Sequence, residues 1–219
     1  MWNWLISVLA SKASIVLFDG SPMYKKEDLL IKIANKEDIT LFGVSAKYID
    51  ALRKANLNYT KKYKLSKLRT ICSTGSPLSE DSFNYVYKKI KKNVHLASIS
   101  GGTDIVSCFV LGNLYQPVYS GEIQNKGLGM NVRVFNERGK SINNKKGELV
   151  CVNPFPSMPL KFWNDKNDNK FKKAYFNKFK NIWHHGDFAR ITNKNGFIIV
   201  GRSDTCLLYT SDAADERLR

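Results

Sequence analysis

Leu68-Arg69-Thr70-Ile71-Cys72-Ser73-Thr74-Gly75-Ser76-Pro77 and Val94-His95-Leu96-Ala97-Ser98-Ile99-Ser100-Gly101-Gly102-Thr103-Asp104 decide the fold. Each is a short apolar run that closes on Gly, Ser or Pro, the pattern of a buried strand ending in a turn. Between them residues 81–91 have helical spacing. Ser79 and Asp81 supply side-chain oxygens for the orphan N–H groups of that helix's first turn. The pattern repeats upstream. Thr40-Leu41-Phe42-Gly43-Val44 reads as a strand, and Ser45 as the cap of a helix running to about Ala55. Ser14-Ile15-Val16-Leu17-Phe18 reads as another buried strand, closed by the turn Asp19-Gly20-Ser21-Pro22 and followed by an amphipathic helix over 27–36. Residues 2–12 place Trp2, Leu5, Ile6 and Leu9 at helical spacing. Four strands alternating with helices predict an α/β fold, a parallel sheet flanked by helices on both faces. Ligands of such sheets sit at the carboxyl ends of the strands. Those ends are residues 74–77 and 100–104.

After about Tyr115 the texture changes. Short alternating runs are punctuated by Gly and Pro: Gly121-Glu122-Ile123, Val132-Arg133-Val134-Phe135, Gly147-Glu148-Leu149-Val150-Cys151-Val152 and Gly196-Phe197-Ile198-Ile199-Val200. This pattern predicts a smaller β-rich lobe, an antiparallel sheet or small barrel. Residues 162–180, rich in Lys, Asn and Phe, read as a surface loop with a short helix. The expected organisation is an α/β lobe over 1–115, a β-rich lobe over 116–203, and a terminal segment over 204–219.

The composition is that of a globular chain. Of 219 residues, 43% are hydrophobic and 12% aromatic, which excludes a disordered polyelectrolyte. No apolar run approaches the length of a membrane span. The start, Met1-Trp2-Asn3-Trp4, lacks the basic region of a secretory signal. Cys72, Cys108, Cys151 and Cys206 are scattered without a C-x-x-C pair, so neither a zinc knuckle nor a disulfide scaffold is supported. A reducing cytoplasm is the simpler expectation. The net charge of +16 invites a nucleic-acid role. Its carriers are mostly lysines, spread along a chain also rich in Asn and Ile. A compositional bias toward A/T-rich codons explains that mixture without an anionic partner. Neither nucleic acid nor a membrane is therefore expected as a partner.

Three segments carry candidate chemistry. In Ser98–Asp104 small residues follow a buried strand, so backbone N–H groups, hydroxyls and a carboxylate can approach a phosphate or Mg²⁺; a plain tight turn fits the same residues. In His184-His185-Gly186-Asp187 adjacent strand residues face opposite ways, so the two histidines do not share one metal ion, and structural or orienting roles are favoured. Asp187 suits ribose hydroxyls or a turn. Gly201-Arg202-Ser203-Asp204 ends the last strand with a guanidinium and a carboxylate, for a nucleotide or as a surface ion pair.

Their order and spacing decide between these readings. Together with Leu17–Pro22, Phe42–Ile49 and Ser73–Leu78, they resemble the adenylate-forming superfamily of acyl-CoA synthetases, luciferases and peptide-synthetase adenylation domains. The resemblance covers residues 1 to about 205, and within it is greatest to the branch that activates acetoacetate. It implies a two-step reaction. A carboxylate attacks the α-phosphate of ATP to give an acyl-adenylate and pyrophosphate, and the CoA thiol then displaces AMP. It implies that residues 1–115 are the second lobe of the large domain. By resemblance Gly75, Ser76 and Pro77 line the adenine, and Ser100, Gly101, Gly102 and Thr103 form the floor under adenine and α-phosphate. Asp104 stands where relatives often have Glu and helps hold Mg²⁺. Asp187 and Arg202 contact ribose, and Asp204 is the hinge of a small C-terminal domain. Val44, Ser45, Thr74 and Gly101 match walls of the acyl pocket. Acetyl-CoA synthetases carry Trp in place of Gly101, so Gly101 is expected to leave room for the longer acetoacetate. A Gly101→Trp change would then favour acetate.

The implied co-substrates are ATP, with Mg²⁺, and CoA. The family's phosphate loop and catalytic lysine fall outside the 219 residues, so no catalytic residue is assigned, and the chain alone is expected to be inactive and poorly soluble. Residues 205–219 match nothing in the family and resemble a translated sequencing adapter. Two other functions fit the same motifs: another short-chain synthetase, acetyl- or propionyl-specific, and a non-catalytic nucleotide-binding module.

Overall fold

The computed structural model describes residues 2–204, with side chains from Ile6 onward. The chain forms two compact units, one ending at Asn125 and one beginning at Lys126. The expectation about residues 205–219 lies outside the described residues, as do the side chains of Trp2 and Leu5.

The first unit opens with α1 (Trp2–Ala10) and α2 (Leu29–Lys36), followed by β1 (Leu41–Ser45), α3 (Ala46–Lys54), β2 (Thr70–Thr74), α4 (Glu80–Tyr85) and β3 (His95–Ser98). The three strands form a parallel sheet in the order β1-β2-β3. β2 is the central strand, with Ile71, Cys72 and Ser73 all buried. Each helix start has its sequence cause. The Ser45 hydroxyl accepts from Tyr48 N at 3.1 Å, and the Ser79 hydroxyl accepts from Ser82 N at 3.2 Å. α3 turns Ala46, Tyr48, Ile49 and Leu52 into the core. The helix expected over 81–91 is present but changes pitch. After Tyr85 it continues as a π-helical turn over Val86–Ile90, with Val86 and Ile90 buried.

Long side chains tie the connections down. Tyr85 OH donates to Leu57 O at 3.0 Å, and Leu65 N donates to the Asn35 side-chain oxygen at 3.0 Å. Lys62 pairs with buried Asp28, which also accepts from Tyr63 OH at 2.9 Å. The Lys62 ammonium holds the Asp28 carboxyl below its ordinary range.

The fourth expected strand of this sheet is absent. Residues 14–18 have no strand partner, and Val16, Leu17 and Phe18 are exposed, Leu17 at 75%. An apolar run becomes a strand only where a neighbour satisfies its backbone groups. This run has none among the described residues. The Gly-rich segment after β3 differs in the other direction. Instead of a bare turn it forms β4 (Ser100–Gly102), paired antiparallel with β5 (Ser107–Leu111), with β6 (Asn125–Lys126) next in that sheet.

Residues 116–125, which the sequence texture groups with the second lobe, belong to the first unit. Buried Gln124 explains why. Its side-chain nitrogen donates to Asn113 O at 2.8 Å and Gln116 O at 2.7 Å, and its oxygen accepts from Asn113 N at 2.9 Å and lies 2.7 Å from His95 Nε2.

The second unit holds β7 (Val132–Phe135), β8 (Gly147–Cys151), α5 (Asn169–Tyr175), β9 (Trp183–Ile191) and β10 (Phe197–Arg202). Its antiparallel sheet runs β10-β9-β8-β7. The short helix expected within 162–180 is α5, but the segment is more than surface. Phe171 and Phe179 are buried, and Trp183 stacks on Tyr175 with ring centroids 3.7 Å apart and meets Phe155 edge-on at 5.3 Å. Aromatic burial outweighs the polarity of the surrounding lysines.

Replacing Ser79 by Ala removes one cap acceptor, so the urea midpoint of unfolding should fall by the equivalent of about 1 kcal/mol, and Ser79→Asp should restore it.

Candidate functional site

The sequence-predicted residues fall into two sets, one in each unit. In the first, parallel register brings strand ends level. Ser45 lies opposite Thr74, and Ser73 opposite Ser98. The pocket-wall candidates Val44, Ser45 and Thr74 therefore share one edge of the sheet. Gly75, Ser76 and Pro77 leave that edge directly, and Ser100, Gly101 and Gly102 leave it through β4. Val44, Thr74, Ser76 and Ser100–Gly102 are half-buried, whereas Ser45, Gly75, Pro77, Thr103 and Asp104 are exposed. Such a rim offers hydroxyls and backbone groups to a ligand above it. The Ser45 hydroxyl is already engaged as the cap of α3.

Gly101 has a further, structural reason to be glycine. A bulge separates the Ser100 and Gly101 positions of the β4–β5 pair. A Cβ built on Gly101 would fall on the carbonyl oxygen of Ser107 and lie 2.6 Å from Cys108 Cα. The direction a side chain would take at this position points into main chain, not into open space. A tryptophan here would have to push β5 away before it could shorten any pocket.

In the second unit the decisive feature is an irregularity in β9. Gly147 and Glu148 of β8 pair with Ala189 and Phe188, while Val150 and Cys151 pair with His184 and Trp183. His185, Gly186 and Asp187 thus span what Leu149 alone spans on β8. Gly186 adopts φ +79°, in the left-handed region open to glycine. The β10 side slips as well. Ile199 faces Ala189, but after the bulge Arg202 faces Asp187. Bulges re-aim side chains in this way.

The slip sends the two histidines to different partners. His184 Nε2 lies 2.8 Å from Glu148 Oε2. Buried His185 places Nε2 3.8 Å from Asp187 Oδ2. Arg202 donates through Nη1 to Asp187 Oδ1 at 3.3 Å and through Nε to Asp204 Oδ1 at 2.9 Å, and its Nη2 pairs with Asp204 Oδ2. Burial pushes the Asp187 carboxyl up, against the opposing pull of His185 and Arg202. The result is a buried carboxylate beside a half-exposed guanidinium, an arrangement able to take paired hydroxyls or a small polar ligand.

Glu148 was not marked by the sequence reading. It is 3% exposed, with Lys178 on Oε1 and His184 on Oε2. Burial alone would raise its carboxyl, but hydrogen bonds from His184 and Lys178 outweigh this and hold it at about 2. Glu148 braces the strand just before the bulge. A glutamate inside an otherwise apolar strand run was the available signal.

Asp104, the expected Mg²⁺ ligand, is exposed at the turn after β4. Among the described residues no three His, Cys, Asp or Glu side chains converge on a metal position. One carboxylate suits an ion held mainly by substrate phosphates and water, as Mg²⁺ is on nucleotides.

Over 94% of its length the chain is 54% identical to the acetoacetyl-coenzyme A synthetase of Rhizobium meliloti and 49% identical to the acetoacetyl-CoA synthetases of Gallus gallus and Mus musculus. It spans about a third of the length of these relatives: 32%, 31% and 31%. Its fold matches the acetoacetyl-CoA synthetase from Streptomyces lividans with a TM-score of 0.86 at 39% identity, over 93% of this chain and 32% of that one. An anthranilate CoA ligase, AuaEII, solved with anthranoyl-AMP, shares the fold at a TM-score of 0.72 and 19% identity, over 88% of this chain and 35% of its own. No protein-family model matches the chain.

Two variants test this geometry. Gly101→Ala should destabilise by about 2 kcal/mol in urea titration, because the added carbon meets backbone. Glu148→Gln should lose about 2 kcal/mol at pH 7. The folded pKa of Glu148 lies below the value of about 4.3 expected when unfolded, so its contribution is present above pH 4.3 and fades toward pH 2. The stability gap between wild type and Glu148→Gln should accordingly close over that acid range.

Proposed function

As a homologue of the acetoacetyl-CoA synthetases that spans about a third of their length, the chain is, we propose, the segment of such a ligase that holds the adenosine half of ATP. The whole enzyme's reaction would be AMP-forming acid–thiol ligation. A carboxylate oxygen of acetoacetate attacks the α-phosphorus of ATP, and the bond to pyrophosphate breaks. The CoA sulfur then attacks the acyl carbon, AMP leaves, and the thiol proton is released to base or solvent. The chemistry needs charge stabilisation at phosphorus and in-line placement, both of which depend on fixing the nucleotide.

The observation that carries this reading is the opposition of Asp187 and Arg202 across the β9–β10 bulge. Asp187 accepts hydrogen bonds from the ribose hydroxyls, and Arg202 donates to the ribose beside it. Gly75, Ser76 and Pro77 line the adenine. Ser100, Gly101, Gly102 and Thr103 lie under adenine and α-phosphate, where backbone N–H groups and hydroxyls can approach oxygen closely. Asp104, directly or through water, holds Mg²⁺, which neutralises phosphate charge when bound. Val44, Ser45 and Thr74, with the main chain at Gly101, wall the acyl group, and Asp204 is the hinge residue. The phosphate loop and the catalytic lysine belong to the remainder of the enzyme. The partners are small molecules, acetoacetate, ATP and CoA, in the cytoplasm. Among the described residues no helix is long and apolar enough to cross a membrane.

Titration with a fluorescent AMP derivative tests the reading. The 219-residue chain should bind it, and Asp187→Asn should weaken binding at least ten-fold, the scale of losing hydrogen bonds to a charged group. Raised salt should have little effect. Equal affinity for unrelated DNA, falling steeply with salt, would favour a basic-surface binder instead.

A further inference from the structure

The Arg202 guanidinium is divided between two carboxylates with different tasks. Its Nε and Nη2 edge faces Asp204, with Nε 2.9 Å from Oδ1. Nη1 alone reaches Asp187, at 3.3 Å. A two-pronged arginine–carboxylate pair is directional, because both N–H groups of one edge must stay in the plane of the carboxylate. Arg202 therefore cannot keep its fork on Asp204 and also turn that edge toward a ligand at Asp187. The local backbone is shaped around the pair. A Cβ at Gly186 would stand 3.0 Å from Arg202 Nη2 and 3.2 Å from Asp204 Oδ2. Ser203 N donates to Gly186 O at 2.8 Å, so the chain between Arg202 and Asp204 is pinned to the bulge that carries Asp187.

We propose that Arg202 is a shared clasp, held by Asp204 when no nucleotide is present and drawn to the ribose when one binds, so that occupancy at Asp187 and the position of Asp204 are coupled through one side chain. The proposal rests on the ribose role given to Asp187 above. It makes Arg202 a ribose-binding residue whose release from Asp204 accompanies binding. Asp204 then competes with the nucleotide rather than assisting it. Arg202 and Asp204 side chains are 47% and 54% exposed, so solvent weakens their pairing and the competition is modest.

The experiment is a double-mutant cycle on the 219-residue chain, with AMP and 2′,3′-dideoxy-AMP as probes. Asp204→Asn should bind AMP two- to five-fold more tightly than wild type, with no change for dideoxy-AMP. Arg202→Gln should bind AMP more weakly, and in its background Asp204→Asn should have no effect. In parallel, the ¹⁵N resonance of the Arg202 Nε–H group, assigned by its loss in Arg202→Gln, should shift on Asp204→Asn without nucleotide and on AMP addition to wild type. Suppose AMP binding depends on Asp187 but is the same in wild type and Asp204→Asn. The clasp is then overturned and the ribose reading survives. If AMP does not bind, or binds equally to Asp187→Asn, both fall.

Discussion

β9 cannot keep one register with both neighbours, and the second unit is organised around that constraint. Between His184 and Phe188 it carries more chain than β8 can pair with, and next to this, opposite Phe188 and Ala189, β10 carries one residue more than β9 can pair with. A regular ladder would set Gly201 opposite Asp187. The slip sets Arg202 there. Lost ladder hydrogen bonds are tolerated because the flanks are strongly held. Glu148, His184 and Lys178 pin one side, and Trp183 is packed in an aromatic cluster. Strain at a bulge persists only where the surroundings over-determine it.

The first unit solves a simpler problem. β2 has neighbours on both edges, so all its backbone groups can be satisfied within the sheet. Once β1 and β3 run parallel to it, their carboxyl ends must emerge at one level. The start of α3, the turn over residues 75–79 and β4 then gather at that rim without further instruction. These segments carry hydroxyls and glycines, whose small side chains leave backbone groups accessible at the rim. The gathering follows from topology, and its chemistry from the loop residues.

The parallel sheet was legible in sequence because its strands are dense apolar runs with Ser caps following them. Ser45 and Ser79 act as read. Residues 14–18 have the same local signature and still form no strand. Pairing is a property of neighbours, which a single segment does not encode. The β4–β5 pair was hidden for the reverse reason, since Ser100-Gly101-Gly102 has no strand propensity and is held by close approach to β5. At the candidate site the identities of Asp187, Arg202 and Asp204 stood out in the sequence, but their mutual facing depends on bulges, which alternation patterns do not reveal. Phe171 and Phe179 were masked by neighbouring lysines, and Glu148 by the apolar run around it. The basic composition led nowhere structural.

The contact at Gly101 changes how such a chain would be redesigned. Where a cavity is walled by side chains, its depth can be retuned one residue at a time. At position 101 the neighbour is peptide backbone, with Ser107 and Cys108 pressed against the glycine. Any side chain at this codon has to displace the β4–β5 ribbon before it can reshape a cavity. Productive variation would come from altering the span between β4 and β5, residues 103–106, so that the ribbon shifts as a unit. Insertions and deletions, more than point changes, are the natural currency of diversification at this edge.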